Sequence, residues 1–195
     1  MAPRSEEQFE EIREARKAEI LEAAFELFAT EGYHGASVSK IAKQAGISKG
    51  LMYNYFNSKE DVLRAVMRDI MDQVTNRFDV ESIEKLEEKD VFNWVDLSFD
   101  VVSEDPVKWR LYTSLSTQPE VTPILIEEAS GNIGSFVTKL HDFLKGKKVK
   151  DPMFWVSQIA AYVDGVQMHI LLSPEQFPIE KSKKAIKDLI KSLYS

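Results

Sequence analysis

Apolar residues recur at three- and four-residue intervals along most of the chain, and no stretch alternates with period two for long enough to form a strand. The pattern predicts an all-helical protein of about nine helices. Ile20, Ala23, Ala24, Leu27 and Phe28 form the first stripe, in a helix from near Phe9 to Thr30 that Gly32 ends, after a polar start over residues 1–8. Val38, Ile41, Ala42 and Ala45 mark a short second helix, and Met52 and Phe56 a third from Lys49 to Phe56. Val62, Leu63, Val66, Ile70 and Val74 mark a long fourth, from Ser58 to Phe78, followed by an acidic loop from Val80 to Asp90. Trp94, Val95, Phe99 and Val102 face inward from a helix over Val91 to Ser103. Asp105-Pro106 breaks it and opens a short helix to Ser116, since proline suits a first helical turn. A loop from Thr117 to Pro123 precedes a helix from Thr122 to Lys145. Gly131 and Gly134 inside that helix each cost about 1 kcal/mol against alanine, so it should bend or meet a neighbour closely there. Gly146 stops it and a basic GKKVK loop follows. Asp151 caps, and Pro152 opens, a nearly all-apolar helix to Leu172, expected to be buried on several sides. The last helix, Ile179 to Tyr194, carries Ala185, Ile186, Leu189, Ile190 and Leu193 on one face and five lysines on the other.

The punctuation is densest between Ala36 and Glu60. Ser37 can cap the second helix by accepting from an orphan amide of its first turn, and Gly46 sits where a helix ends in a left-handed residue. Ser48 can cap the third helix and Ser58 the fourth, with Asp61 favouring its positive end. Helix, glycine turn, helix is the layout of a helix-turn-helix DNA reader.

The third helix has suitable chemistry. With Met52 and Phe56 inward, Gly50 and Asn54 point the other way, flanked by Lys49, Leu51 and Tyr53. Asparagine can pair with adenine and lysine can donate to guanine in the major groove, while glycine lets the backbone come close. No aspartate or glutamate occurs from Gly32 through Lys59, a stretch that holds Lys40, Lys43, Lys49 and Lys59 and so suits a phosphate partner.

On these residues the chain resembles the tetracycline-repressor (TetR) family. The matching positions are Ala24, Leu27 and Phe28, Gly32-Tyr33, Val38, Ile41-Ala42, Ala45-Gly46-Ile47-Ser48, Gly50, Tyr53, Tyr55-Phe56 and Lys59-Glu60. The match runs roughly from Arg16 to Val66, and the rest of the chain resembles the family only in being helical and of suitable length. The resemblance implies a DNA-binding domain over residues 1–57 and an effector and dimerisation domain over 58–195. It implies a homodimer, paired through the last two helices as a four-helix bundle, on a palindromic operator in double-stranded DNA. Lys49, Gly50, Leu51 and Asn54 would face bases; Ser37, Ser39, Tyr53, Tyr55 and Lys59 would hold phosphates. The apolar face of the last helix asks for such cover in its own right. The helix from Ser58 to Phe78 would carry any signal between the two halves.

Composition narrows the rest. At 195 residues and 44% hydrophobic, the chain can bury a real core. It has no cysteine, which excludes disulfides and thiolate chemistry. The net charge of −7 argues against nucleic acid, but charge distribution outweighs the sum. No apolar run reaches membrane length and the start lacks a signal-peptide core, so no membrane association and a cytoplasmic location are expected.

His34, His141 and His169 are scattered, with no metal spacing among them, and no nucleophile elbow or phosphate-binding glycine loop occurs. No enzyme, metal or cofactor is expected. Arg13, Arg16 and Lys17 read as solvated charges paired with Glu10, Glu14 or Glu19, or, for Arg16 or Lys17, as a phosphate contact. Asp164 lies in the apolar helix, where a buried carboxylate needs a partner. Trp94, Trp109, Tyr112, Phe136, Trp155 and Tyr162 read either as core or as the lining of a pocket for a small apolar or aromatic effector. The leading expectation is a repressor released from its operator by such a ligand. The alternatives are a DNA-binding regulator whose second half binds a protein, and an enzyme on a helical bundle.

Overall fold

The computed structural model describes residues 6–129 and 131–195, so part of the polar start lies outside the described residues, as does the side chain of Val74. Among the described residues there are ten helices and no strand. They are α1 (Glu6–Gly35), α2 (Val38–Gln44), α3 (Lys49–Met52), α4 (Lys59–Thr75), α5 (Glu88–Glu104), α6 (Pro106–Ser116), α7 (Thr122–Ala129), α8 (Asn132–Gly146), α9 (Pro152–Leu172) and α10 (Ile179–Ser192). The structure has one helix more than the roughly nine expected, because the stretch from Thr122 divides into α7 and α8, with Gly131 at φ −67, ψ −89 before α8.

The chain forms two compact units, each assembled from two separate stretches of sequence. The first comprises the residues up to Ile70 together with Leu111–Glu128; the second comprises Met71–Arg110 and Ala129–Ser195. In the first unit, Ile20, Ala24 and Phe28 of α1 are buried with Ile41 and Ala42 of α2, Met52 of α3, Val62, Leu63 and Val66 of α4, and Leu115 of α6. Ion pairs tie α7 to α4: Arg64 bonds Glu127 at 2.8 Å and Glu128 at 3.3 Å, and Arg68 bonds Glu128 at 2.8 Å.

The second unit has its own core of Val91, Val95 and Phe99 (α5), Leu140 and Leu144 (α8), Ile159 and Val163 (α9), and Ile186 and Ile190 (α10). Three lysine ammonium groups tie this unit together. Lys139 Nζ donates to the carbonyls of Val80 and Ile83 at 2.7 and 2.6 Å, closing the segment before α5. Lys183 pairs with Asp100 at 2.6 Å and Lys187 with Asp96, joining α10 to α5.

Four expectations for this half are corrected. The stripe of α10 is not an open face: Ile186 and Ile190 lie in the unit's own core, and two of the lysines assigned to the solvent side reach the carboxylates of α5. α9 is buried on one side only, through Val156, Ile159, Val163, Val166 and Ile170, while Phe154, Tyr162, Met168 and Leu172 are exposed. Asp164 is therefore exposed rather than enclosed, although partial desolvation still raises its carboxyl above the ordinary range. Asp151 adopts a left-handed conformation at φ 53 with no side-chain cap bond, so α9 opens on Pro152 without the expected carboxylate cap.

Candidate nucleic-acid interface

Four residues make a very short helix, and nucleation alone disfavours it. Local caps and two buried side chains hold α3 in place. Ser48 Oγ accepts the Leu51 N–H at 3.0 Å, as Ser37 Oγ accepts that of Lys40 at 3.3 Å for α2. Between the two helices, Gly46 stands at φ 65, the Ile47 N–H donates to the Ala42 carbonyl at 2.9 Å, and the Gly46 N–H donates to that of Lys43 at 3.2 Å. That pair of bonds is a Schellman closure, which satisfies the last carbonyls of α2 and sets the direction of α3.

The helix expected through Phe56 ends at Met52. Tyr53 to Tyr55 form a tighter turn in which the Asn54 N–H returns to Leu51 O and that of Tyr55 to Met52 O, each at 3.0 Å. Asn54 therefore leaves from a turn rather than from the helical face it was expected to share with Gly50. Burial still divides the side chains as the pattern requires: Met52 and Phe56 are buried, whereas Lys49, Gly50, Leu51 (38% exposed), Tyr53 (48%) and Asn54 face out. Ser37 and Ser39 are exposed and Tyr55 is half-buried.

The four lysines of the acid-free stretch separate into two kinds. The side chains of Lys43 and Lys49 are exposed and make no hydrogen bond or ion pair among the described residues. Lys40 is drawn to Glu31 at 2.6 Å. Lys59, expected on a phosphate, points inward: Nζ donates to the Tyr33 and Ala36 carbonyls at 2.8 and 3.2 Å and lies 4.1 Å from the Tyr33 ring centre. The physical reason is that α1 ends at Gly35, so these two carbonyls lie at its C-terminal end, where regular helical partners run out. Burial, with Glu60 and Glu120 nearby, pushes the Tyr33 phenol above its usual value. Arg16 and Lys17 pair with Glu19 and Glu14, as the simpler of their two readings had it.

Gln118 has no motif around it and was not anticipated; its amide reaches the Gly32 break from the α6–α7 connection. Only the unpaired needs of a broken helix hint at such a residue, and they do not say where in the chain it lies.

The six aromatics proposed to line a pocket stand in different surroundings. Trp94 stacks on Phe136 at 4.6 Å, with both packed in the core of the second unit, and Trp155 packs against the same core. Tyr162 is exposed on α9, and Trp109 and Tyr112 are half-buried on α6, with Tyr112 in the first unit. A shallow cavity of about 620 Å³ is lined by His141, Asp151, Pro152, Met153 and Phe154, and a smaller one of about 320 Å³ by Leu86, Phe143 and Lys147 among others. None of the six lines either cavity. His34 pairs with Glu120 and His141 with Asp142, while His169 stacks on Phe177. No group of three metal-ligating side chains occurs among the described residues, and no described helix is long and apolar enough to cross a membrane.

Residues 20–66 match the model for bacterial regulatory proteins of the tetR family. The Fatty acid metabolism regulator protein of Bacillus subtilis (strain 168) is 43% identical over 72 residues, 37% of each chain. The HTH-type transcriptional regulator BetI of Vibrio vulnificus (strain YJ016) is 30% identical over 184 residues, 90% of each chain. Among solved structures, the fatty acid degradation regulator FadR from Bacillus halodurans superimposes with a TM-score of 0.66 at 26% identity, covering 89% of this chain and 93% of that one. Taken with the helix-turn-helix geometry, a similarity that runs nearly end to end places the chain in the tetR family of bacterial transcriptional regulators.

Proposed function

We propose that the protein is a homodimeric repressor that binds a palindromic operator through α2 and α3 and is released by a small apolar effector. One observation carries the DNA reading: an outward surface of Lys49, Gly50, Leu51, Tyr53 and Asn54, free of acidic residues and held rigid by buried Met52 and Phe56. Lys43 and Lys49 supply the uncommitted charge for phosphates or guanine, and the exposed Ser37 and Ser39 supply hydroxyls.

The outward face of α9 supports the dimer. Phe154, Ala161, Met168 and Leu172 follow one another at helical spacing and are all exposed. An apolar stripe of that length on a soluble chain calls for cover, and a second copy supplies it symmetrically. Two-fold symmetry then spaces the recognition elements one helical turn apart, roughly 35 Å.

Selection of bound sequences from random duplex DNA tests the reading, and recovery of no preferred sequence overturns it. With a recovered duplex, Asn54→Ala should relax preference at one base pair, at a loss of about 1–3 kcal/mol for the correct base. Equal losses on recovered and random duplexes would remove Asn54 from the readout.

Two of the relatives are named for fatty acid regulation, so an acyl compound is the first effector class to titrate. The release mechanism requires a coupling of about 1–3 kcal/mol between effector and operator, equal in both directions. Tryptophan fluorescence titrations with and without the duplex measure it. A second reading, a protein partner in place of the small molecule, is favoured by the absence of the six aromatics from both cavities. An acyl titration with no saturable signal would support that second reading.

A further inference from the structure

The break at Gly32 displaces the Tyr33 N–H, and one side chain from far along the sequence answers it and also bonds the Phe28 carbonyl. The Tyr33 N–H, which an unbroken helix would aim at the Ala29 carbonyl, donates to Gln118 Oε1 at 2.9 Å. Gln118 Nε2 donates to the Phe28 carbonyl at 3.3 Å. A carboxamide suits this place because it presents an acceptor and a donor side by side without charge. The fit is close: Oε1 lies 3.7 Å from where a Cβ on Gly32 would stand, over a backbone whose φ of 77 already favours glycine.

From the other side Lys59 donates to the Tyr33 and Ala36 carbonyls and lies over the Tyr33 ring. Residues 33–36 are therefore gripped by the start of α4 and by the α6–α7 connection at once. The next residue is Ser37, the cap of α2. Beyond it, the closure at Gly46 ties α2 to α3. What fixes the 33–36 segment thus fixes where the recognition surface starts.

We propose that Gln118 is a positioning residue of the DNA reader, setting the α1–α2 corner from the α6–α7 connection. This inference rests on the DNA-reading function proposed above. Withdrawal of Gln118 leaves the Tyr33 N–H and the Phe28 carbonyl without that partner in a half-buried corner, and the α2–α3 surface loses its fixed origin. Any event that moves the α6–α7 connection then reaches the reader directly, without passing along α4.

The test titrates the wild-type chain, Gln118→Ala and Gln118→Met with two duplexes: the one recovered by selection and a random-sequence duplex of equal length. Gln118→Met keeps the length of the side chain while removing both hydrogen bonds, and so stands in where Gln118→Ala does not fold. The expected result is a loss of about tenfold on the recovered duplex, since unsatisfied polar groups loosen the corner. Affinity for the random duplex, set by lysine–phosphate attraction, should change by less than about twofold. Exchange of the Tyr33 amide should quicken in both variants. Unchanged affinity for the recovered duplex, whether or not the melting temperature falls, overturns the proposal, as do equal losses on both duplexes or failure of both variants to fold. A wild-type chain that recovers no sequence fails at the DNA reading itself, and this inference fails with it.

Discussion

α3 and α9 each leave one face uncovered, and the two faces differ in what they offer. The face around α3 is polar and free of acid, on a helix of 4 residues that stands through Ser48, Met52 and Phe56. That of α9 is apolar, on a helix of 21 residues whose opposite side is buried in the second unit's core. A short helix cannot persist on propensity, so every feature of α3 answers to its immediate neighbours. A long helix needs no such help. Its open side is what the core left uncovered, and Phe154, Met168 and Leu172 are among the exposed side chains there.

The largest effect should come from placing the same charge on each face. Met168→Glu should leave the chain folded but dissociated, because an unpaired charge buried in an interface costs about 3–5 kcal/mol; light scattering reads the mass. Leu51→Glu should leave mass and melting temperature unchanged while abolishing binding to the recovered duplex, since a carboxylate there faces phosphates and base edges. Dissociation by Leu51→Glu, or an intact dimer with Met168→Glu, would dissolve the contrast.

Glycine gives a smaller and opposite pair. Gly46 stands at φ 65, and a Cβ added to it would meet only open space, so Gly46→Ala should destabilise by about 1 kcal/mol through the left-handed backbone alone. Gly165 lies inside α9 with ordinary helical geometry and equal room, so Gly165→Ala should stabilise the single chain by roughly 0.5–1 kcal/mol. Urea unfolding measures both. If Gly165→Ala instead weakens association, the partner's backbone approaches closely at that point.

Asp164 should give the smallest change. Desolvation raises its carboxyl above the ordinary range, so the folded state favours the protonated form. Stability from this group is therefore greatest below the ordinary carboxylate range and falls as pH rises through the raised folded value. Asp164→Asn should flatten that slope in urea midpoints taken across mildly acidic pH. A slope unchanged by the substitution would place its origin elsewhere.

The reader was legible in the sequence because its determinants are close neighbours. Ser37 and Ser48 cap amides three residues on, Gly46 closes α2 by bonds no more than five residues back, and Met52 and Phe56 face inward at helical spacing. The same local rules missed the turn from Tyr53 to Tyr55, where three-residue bonding replaced the helix. They also merged α7 with α8, for a pair of glycines signals a bend without fixing its size.

Lys59 shows where such reading stops. Its place beside the recognition helix suggested a phosphate, yet its ammonium turns to carbonyls more than twenty residues earlier in the chain. Gln118 is the stronger case, since its partners lie 85 and 90 residues away and no spacing rule reaches that far. The stripe on α10 was read correctly as apolar, but its partner is α5 of the same chain and not open surface. The sequence by itself determined the helical class, the two capped helices and the chemistry of the recognition face, because hydrogen bonds within one turn decide those. Only the tertiary structure decided which carbonyls Lys59 and Gln118 serve and which face of α9 remains open. Those depend on what packing brings together across the chain, and a pattern of apolar positions names the face to be buried without naming what buries it.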